Sequence, residues 1–389
     1  MKKPTLFTEG PFSPAFAADQ CDSFRESPGT YWNFEELAKV PAYKPANFHD
    51  SEFPGFQAIL YEGVEVEGIK SPVFAYISYP EGKVPAGGFP TALSIHGGGG
   101  TAYPYYIQKW NRRGYAVLAI DWYNQRPVTT PNPDGKGFST TSVPLEGGKR
   151  QLHVPIVGNI VLAHSLLRTL PNVNLDKIGY VGLSWGSWYG SMVAALDPRF
   201  KFILNIYCGG VDKKKTSFIN GRFLHAAKVP IYWVAQTVDQ NITPEEIQAA
   251  YEETPMTANK TLVPKIPHSH IGYEFEVCFR IADSVLKGMT PLPKLGKTSI
   301  IDGKICAEVV DQGKGIKKCF FYYTKNHQEK TYFKRIWETE PAELKDNIVS
   351  AKLPKGVYQC FLAVFDDDNM QNFCCGSSDV LLFAMNSPK

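Results

Sequence analysis

The sequence lacks the features that mark several large classes of protein. No stretch approaches the roughly 18 consecutive apolar residues that a membrane-spanning helix needs. No basic run or charged tail is present, and 41 Lys and Arg residues face 38 Asp and Glu residues, for a formal net charge of +3. A balance this close to zero gives no argument for nucleic acid or a membrane surface as a partner, and we expect neither.

Cysteine is sparse and scattered. The chain holds eight cysteines and no C-x-x-C pair, a pattern typical of buried free thiols in a reducing compartment. Five of them follow residue 300, so a disulfide in that part stays open. The N-terminus begins Met-Lys-Lys but lacks the continuous apolar segment of a signal peptide. We therefore expect a cytoplasmic protein, unless a leader was removed before this numbering starts.

The length of the chain predicts more than one domain. At 389 residues it exceeds the size at which a single hydrophobic core stops growing. Residues 1–55 are rich in Pro, Phe and Tyr with little periodicity, which predicts an extended N-terminal arm. We expect a main domain over 56–287, a Pro/Gly linker over 288–297 and a second domain over 298–389.

Strand and helix patterns alternate through the main domain. Because this alternation builds a mostly parallel sheet with helices on both faces, the predicted fold class is α/β, and the first strands suit an antiparallel edge. Strands are predicted near 56–62, 72–79, 91–96, 115–120, 178–183, 202–207, 230–235 and 260–264, and helices near 103–113, 152–169, 185–196, 244–253 and 272–287.

Short β-runs replace this pattern in the second domain. Their regular spacing, with turns such as Asp302-Gly303 between them, predicts a small β-sandwich of immunoglobulin-like build. The runs cover 304–310, 318–323, 332–338, 347–352, 357–366 and 380–384. A packing, dimerising or carbohydrate-binding role is open for this domain.

The stretch 178–196, IGYVGLSWGSWYGSMVAAL, carries the strongest chemical signal. An apolar run meets Gly182-Leu-Ser184-Trp-Gly186, and a small-residue helical pattern follows. This order predicts a strand, a sharp turn and a helix, with Ser184 strained at the apex. We expect both glycines to be required because a side chain at either position would collide with a neighbouring strand or helix. A serine presented in this way is a candidate nucleophile.

A glycine-rich turn precedes this serine in the sequence. An apolar strand from Thr91 ends in His96-Gly-Gly-Gly-Gly100, and glycines allow the backbone to approach a substrate oxygen closely. The absence of a Gly-Lys-Ser/Thr ending and of G-x-G-x-x-G spacing argues against a phosphate loop. We predict an oxyanion hole built from the Trp185 amide and the amide of Gly98 or Gly99.

A nucleophilic serine needs a base and an orienting carboxylate, which follow it in this architecture in the order acid, then histidine. Asp239 comes just after the β-rich run that starts at Pro230, and Asp212 is the rival acid. The next strand leads into Pro-His268-Ser-His270. We favour His268 as the base because it comes first after the strand, and His270 stays open.

Other histidines and acids receive structural roles. His96 belongs to the glycine turn and is expected to brace it, His153 and His164 lie on one predicted helix, and Asp121 ends a strand before the serine. The two histidines after the last strand could suggest a metal site, but no third ligand stands at recognisable spacing. We expect no metal and no organic cofactor.

Aromatic residues cluster around the predicted mouth of the site. Sugar rings stack on aromatic faces, and ligand pockets in general use rigid aromatic walls. We expect Trp185 and Trp122 to be the first to meet substrate, with Tyr103 and Trp188 beside them. The full cluster is Tyr103, Tyr105, Tyr106, Trp122, Tyr123, Trp185 and Trp188.

Residues of about 56–287 resemble the acetyl xylan esterase and cephalosporin-C deacetylase-like branch of the α/β-hydrolases, which is related to dienelactone hydrolases. The resemblance implies an α/β-hydrolase fold, a triad of Ser184, Asp239 and His268, and deacylation of small O-acyl esters, often of sugars. The sequence departs from the pattern at Ser187-Trp188, where relatives commonly carry a glycine, and in the long loop after Asp121. The stretches that carry it are HGGGGTAYPYYIQKWNRRGYAVLAID, AHSLLRTLPNVNLDKIGYVGLSWG, LDPRFKFILNIYCGG and VDQNITP.

The predicted function is therefore that of a serine carboxylesterase acting on a small-molecule or oligosaccharide ester. A prolyl oligopeptidase-type peptidase shares the triad and stays open as an alternative. A dienelactone-type hydrolase usually carries cysteine where this chain has Ser184. A glycan-binding protein with a silent hydrolase domain is the alternative from another class. A homo-oligomer stays open.

Overall fold

The computed structural model describes residues 27–46, 52–66, 69–98, 100–122, 153–207, 209–211, 221–266, 268–327 and 333–383. The first 26 residues of the predicted arm and most of the long loop after Asp121 lie outside this range. Within it, the arm contributes the short helix α1 (Phe34–Leu37). Asn33 caps this helix, since its side-chain oxygen accepts hydrogen bonds from the amides of Glu35 and Glu36.

In the described residues, nine strands form one mixed sheet. They are β1 (Tyr43–Pro45), β2 (Gln57–Val66), β3 (Ile69–Ser78), β4 (Phe89–Ile95), β5 (Ala116–Asp121), β6 (Val173–Leu183), β7 (Ile203–Ile206), β8 (Ile231–Gln236) and β9 (Thr257–Val263). Their order across the sheet is β1-β2-β3-β5-β4-β6-β7-β8-β9. The pairs from β1 to β5 on one side are antiparallel, and every pair from β5 and β4 through to β9 is parallel.

Helices cover both faces of this sheet. They are α2 (Pro104–Arg112), α3 (His153–Leu167), α4 (Trp185–Leu196), α5 (Pro244–Glu253) and α6 (Glu276–Lys287). Strand order reverses at β4, because α2 leads to β5 on one side while α4 and α5 lead to β7 and β9 on the other. Right-handed crossovers therefore place α2 on the opposite face from α4 and α5. Helix α6 packs beside α2, with 5.0 Å between the rings of Trp110 and Phe279.

The central strands are buried on both faces, which explains their continuous apolar sequences. Every residue of β5 and β7 is buried, and so are all but Ser94 of β4. The predicted mostly parallel sheet, its helices on both faces and its antiparallel edge are confirmed. No helix in the described parts of the chain has the length and apolar character of a membrane span.

The C-terminal part is a β-sandwich, as predicted. Its strands in the described residues are β10 (Lys294–Ile301), β11 (Lys304–Asp311), β12 (Lys318–Thr324), β13 (Glu338–Pro341), β14 (Glu343–Lys345), β15 (Ile348–Lys352), β16 (Gln359–Phe365), β17 (Cys375–Ser377) and β18 (Leu381–Leu382). They form one sheet in the order β10-β11-β15-β14 and a second in the order β13-β12-β16-β17, with β18 also paired to β16. Ile305 and Val309 of the first sheet meet Phe321 and Leu362 of the second in a shared core.

Two details of this region differ from the sequence prediction. Strand β10 begins at Lys294, inside the segment 288–297 predicted as linker. The predicted strand over 332–338 is wrong, since β13 starts only at Glu338. Both strands lie at the ends of their sheets, and most of their residues are exposed. They therefore lack the apolar run by which buried strands are found.

The sandwich packs against the edge of the large sheet. The hydroxyl of Ser377 accepts a hydrogen bond from the amide of Leu262 in β9 (2.9 Å) and donates one to its carbonyl (3.0 Å). Buried ion pairs join the two parts at Arg280–Asp366 and Arg335–Glu245, both at 2.8 Å. The sandwich thus satisfies backbone groups of an edge strand that would otherwise be open to pairing with another chain.

Candidate active site

Ser184 occupies the sharp turn between β6 and α4. Its backbone lies at φ 54° and ψ −113°, a conformation that is strained for a residue with a side chain. A Cβ at Gly186 would collide with the carbonyl oxygen of Ile95, and one at Gly182 would lie 2.5 Å from the carbonyl oxygen of Gly186. Both glycines are therefore required by close backbone approach, and the turn projects the Ser184 hydroxyl beyond the carboxyl end of the strand.

The structure brings Ser184, His268 and Asp239 together in one hydrogen-bonded chain. Nε2 of His268 lies 2.9 Å from Oγ of Ser184, and Nδ1 lies 2.7 Å from Oδ2 of Asp239. With its proton on Nδ1, the imidazole donates to the carboxylate and leaves Nε2 free to accept the serine proton. The three residues follow β6, β8 and β9, so they meet at the carboxyl edge of the parallel sheet, where ligands bind in such folds.

Asp239 is held rigidly behind the histidine. Its side chain is fully buried, and Oδ1 accepts a hydrogen bond from the amide of Asn241 at 2.8 Å. The ring of Tyr207 lies against His268, with 4.9 Å between centroids, and Tyr207 has a φ of 75° directly after β7. Sequence reasoning missed Asn241 and Tyr207. The Asp-x-Asn spacing was a usable signal for the first, because it favours a local carboxylate–amide turn.

His270, the alternative base, points elsewhere. Its ring centroid lies 4.7 Å from that of Tyr103, and Nε2 lies beside Gly100, where an added Cβ would be 2.6 Å away. Burial, reinforced by nearby His96 and His268, lowers the pKa of His270 to about 4. The ring is therefore neutral near pH 7. Of the two histidines, the structure places His268 on Ser184.

The glycine turn lies directly over the serine. An added Cβ at Gly97 would be 3.0 Å from Cβ of Ser184, and the turn is closed by the Gly100 amide, which donates to the Gly97 carbonyl at 3.1 Å. The Trp185 amide is the first of α4, so it has no acceptor within the helix. The Trp185 amide is therefore a free donor next to the nucleophile, and Gly98 lies in the turn under the Trp185 indole. Gly99, the other predicted donor, lies outside the described residues.

Comparison with known proteins gives matches among solved structures alone. No protein-family model matches the chain, and no curated protein sequence matches it. The acetyl xylan esterase from a Paenibacillus species is 17% identical over 65% of this chain and 92% of its own, with a TM-score of 0.53. The acetyl xylan esterase 1 from a Thermoanaerobacterium species is 16% identical over 61% of this chain and 88% of its own, with a TM-score of 0.44.

The chain has the α/β-hydrolase fold. The Paenibacillus match and the strand order support this assignment together, and the C-terminal sandwich is an addition to the hydrolase domain. Because many unrelated reactions occur on this fold, the fold by itself does not give the reaction. The chemistry has to be argued from the side chains around Ser184.

Trp122 corrects one prediction about the candidate site. Its side chain is only 2% exposed, its indole stacks on His96 with 5.0 Å between centroids, and it donates to the carbonyl of His96 at 2.9 Å. Asp121 accepts a hydrogen bond from Thr101 at 2.6 Å and lies 3.3 Å from His96. These residues brace the glycine turn from below, and Trp122 is buried by that packing rather than turned to the substrate.

Trp185 lies beside Ser184 at the candidate site. Its half-buried indole covers the glycine turn, so that an added Cβ at Gly98 would lie 2.6 Å from the ring. The indole also stacks on His153, with 5.5 Å between centroids. Burial lowers the pKa of His153 to about 4, so this ring is neutral near pH 7. Trp188 is also half-buried and packs against the hydrophobic core.

The remaining predicted residues lie apart from the triad or outside the described range. His164 forms a buried pair with Asp197 at 2.9 Å and is structural. Tyr123 and the rival acid Asp212 lie outside the described residues. Within those residues, no group of three or more His, Cys, Asp and Glu side chains could hold a metal ion.

Proposed function

We propose that this α/β-hydrolase is a serine carboxylesterase that removes short acyl groups, acetyl above all, from esters of sugars or related alcohols. The observation that carries the proposal is the hydrogen-bonded chain from Asp239 through His268 to Ser184, with the serine raised on a strained turn. This arrangement of an acid, a base and a nucleophile is the one that acyl transfer requires.

The reaction follows from the positions of the atoms. His268 Nε2 accepts the proton of the Ser184 hydroxyl as Oγ forms a bond to the ester carbonyl carbon. The carbonyl oxygen becomes an oxyanion, and the amides of Trp185 and Gly98 donate to it. Asp239 stabilises the imidazolium and keeps its proton on Nδ1. The carbon–oxygen bond to the alcohol then breaks, and His268 gives its proton to the departing oxygen.

The second half of the reaction restores the enzyme. A water molecule gives a proton to His268 as its oxygen attacks the acyl-serine, and the same amides hold the new oxyanion. The bond to Ser184 breaks, the serine recovers its proton from His268, and the carboxylic acid leaves. Each step uses groups of this chain and water only.

The walls of the site support a short acyl group. The Trp185 indole covers the glycine turn next to Ser184 and is held in place by His153. A long acyl chain would have to displace a ring that is already packed. The acetyl xylan esterases with the same fold agree with acetyl as the acyl group and with a sugar as the alcohol.

Ester hydrolysis by the parent protein and by Ser184→Ala tests the proposal. We expect the parent to hydrolyse p-nitrophenyl acetate faster than the butyrate and octanoate esters, and to release acetate from acetylated xylo-oligosaccharides. Ser184→Ala should lower kcat by more than about a thousandfold. Ser284→Ala is the matched control, because within the described residues the Ser284 hydroxyl donates to the carbonyl of Ile281 in its own helix. Equal rates for the parent and Ser184→Ala would contradict the proposal and favour glycan binding without turnover.

A further inference from the structure

The C-terminal sandwich contacts the hydrolase domain on both sides of His268. Before the histidine, the hydroxyl of Thr261 in β9 donates to the carbonyl of Cys375 at 2.7 Å. After it, the guanidinium of Arg280 in α6 donates to the buried carboxylate of Asp366 at 2.8 Å. These two polar contacts fix both ends of the loop between β9 and α6, which contains the proposed base.

Between the two polar contacts, an aromatic side chain of the sandwich reaches the loop itself. The ring of Phe373 lies edge to face on that of Phe275, with 5.0 Å between centroids and 69° between planes. Phe275 follows the 3₁₀ turn that begins at His270 and directly precedes α6. Edge-to-face packing at this distance is favourable beyond the apolar area that it buries, and it fixes how the two rings are oriented.

The aromatic contacts continue from Phe275 to the proposed base. Phe275 meets the ring of Tyr207 edge to face at 6.4 Å, and the ring of Tyr207 lies 4.9 Å from that of His268. Tyr207 is fully buried, and a Cβ added at Gly272 of the loop would lie 2.9 Å from its hydroxyl oxygen. The loop therefore packs over an enclosed tyrosine, and the position of His268 depends on how the loop lies on that ring.

The sandwich holds Phe373 in a backbone conformation that is costly for its residue type. Its φ is 54°, in the left-handed region that bulky residues rarely occupy. The turn before it is fixed by Asp367, which accepts hydrogen bonds from the Asn369 amide at 2.8 Å and from the Asn372 side chain at 2.7 Å. A glycine here would avoid the strain but would have no ring. Strain of this kind is typical of positions where a side chain serves a function.

We infer that Phe373 is a positioning residue, through which the sandwich holds His268 in place on Ser184. Phe275 and Tyr207 form the packed contact between them. The inference rests on the proposed function, because it gives the sandwich a part in the proton transfers of that reaction. Without the Phe373 ring, the loop keeps its two polar contacts but gains freedom between them. His268 then lies away from Ser184 for part of the time, so kcat falls while KM stays close to its parent value.

Hydrolysis of p-nitrophenyl acetate by the full chain tests the inference. Phe373→Ala should lower kcat by about ten- to a hundredfold, because a displacement of about 1 Å at a catalytic group has an effect of that size. Phe320→Ala is the matched control and should keep the parent's kcat. Phe320 is also a half-buried phenylalanine of the sandwich, but its ring packs on Tyr322 and Phe365 of its own sheet.

A double-mutant cycle separates positioning from a general loss of stability. If the Phe373 ring acts through Phe275, Phe373→Ala should lower kcat little further in a Phe275→Ala background, whereas two independent losses would add. Phe373→Tyr, which keeps the ring, should restore the parent's kcat. Phe373→Leu keeps most of the apolar volume without the ring, and it takes the place of the alanine variant if that variant does not fold.

Hydrogen exchange followed by mass spectrometry reports on the loop without any substrate. Exchange between β9 and α6 should be faster in Phe373→Ala than in the parent and unchanged in Phe320→Ala. If the parent hydrolyses the ester but Phe373→Ala keeps its kcat, or if the losses from Phe373→Ala and Phe275→Ala add in full, the inference is wrong and the esterase proposal stands. If exchange is faster in Phe373→Ala but the parent hydrolyses no ester, the packing of the loop by the sandwich is supported and the esterase proposal fails.

Discussion

Replacing Asp239 with asparagine removes one charge from the triad and almost no volume. In the parent, the carboxylate accepts the Nδ1 proton of His268 and so leaves Nε2 as the acceptor for the proton of Ser184. An asparagine can present its NH₂ group to Nδ1 instead, which moves the ring proton to Nε2. The ring would then offer a donor where the reaction needs a base. It would also lose the negative charge that stabilises the imidazolium.

The size of the effect follows from the distance between the charges. At the 2.7 Å that separate Nδ1 of His268 and Oδ2 of Asp239, two unit charges interact by about 6 kcal/mol at an effective dielectric constant of about 20. Loss of that interaction in the transition state lowers kcat by about 10⁴-fold. The same substitution in the chymotrypsin-type triad reduces kcat by a similar factor, about 10⁴.

The assay is the steady-state hydrolysis of p-nitrophenyl acetate, with urea unfolding of the same samples. Asp197→Asn is the matched control, because Asp197 also binds Nδ1 of a histidine, His164, at 2.9 Å but lies apart from Ser184. We expect Asp239→Asn to lose activity with little change in the free energy of unfolding. Asp197→Asn should instead lose about 3 kcal/mol of unfolding free energy, because Arg199 is left without its partner, and keep a kcat within about tenfold of the parent.

The reasoning about the triad would be refuted if Asp239→Asn kept more than about a tenth of the parent's kcat. It would also be refuted if, in both asparagine variants, the loss of kcat simply followed the loss of unfolding free energy. In either case the carboxylate would act as a structural anchor for the loop after β8, and the base would not depend on its charge.

Three further predictions concern packing and charge. Gly186→Ala should lower the free energy of unfolding by about 3 kcal/mol or more, because its Cβ would collide with the carbonyl of Ile95. Gly55→Ala is the control and should be neutral in urea unfolding, because no atom lies within 4 Å of the added Cβ. Burial raises the pKa of Asp197, but hydrogen bonds from its basic neighbours outweigh it and bring it from 3.8 to about 2. The Asp197 carboxylate therefore contributes about 2 kcal/mol to the free energy of unfolding above pH 3.8, and this contribution is lost as the pH falls through about 2. Urea unfolding of the parent and of Asp197→Asn at a series of pH values measures it. Trp185→Ala should raise the rate on butyrate relative to acetate by about tenfold, since two more methylene groups gain room at about 0.8 kcal/mol each.

Each of these predictions has an opposing result. Equal stability of Gly186→Ala and Gly55→Ala would show that the turn can relax away from β4. A constant stability difference between the parent and Asp197→Asn from pH 5 to pH 2 would show that the carboxylate does not keep a low pKa. An unchanged butyrate-to-acetate ratio in Trp185→Ala would remove the indole as the wall of the acyl pocket.

The large sheet was predictable because its strands carry strong local signals. The apolar run before Ser184 ends at Leu183 and the helix begins at Trp185, as the sequence predicts. The small residues of this stretch are fixed by close backbone approach, and such constraints are visible in sequence as glycines at set spacing. Asp239 and His268 were predicted from a different signal, namely their places after β-rich runs and the order of acid, then histidine.

The sequence favoured His268 over His270 only by its place as the first histidine after the strand. Both follow β9 closely, and no periodicity distinguishes them. The structure separates them because Ser269 is extended, with φ −155° and ψ 170°, and a 3₁₀ turn starts at His270. This local geometry turns the second ring toward Tyr103 and leaves the first on Ser184. The direction in which a side chain points is set by tertiary packing, which a short sequence motif does not encode.

Long-range contacts were beyond the reach of the sequence for a related reason. Trp122 stands at a strand end next to the predicted site, but the sequence does not say which face its indole takes, and it packs under His96. The buried pair Arg335–Glu245 joins residues 90 positions apart. Neither residue lies in a motif, so only the assembled fold shows that the sandwich packs on the hydrolase domain.

The most direct test of the central claim is covalent labelling of the intact protein with an organophosphonate, which reacts with activated serines. We predict a single adduct, mapped by mass spectrometry to the peptide that carries Ser184, formed in step with the loss of p-nitrophenyl acetate hydrolysis. Labelling should be slowed by about the same factor in Asp239→Asn as hydrolysis is. An absence of adduct, or an adduct on another residue while hydrolysis continues, would contradict the assignment of Ser184 as the nucleophile.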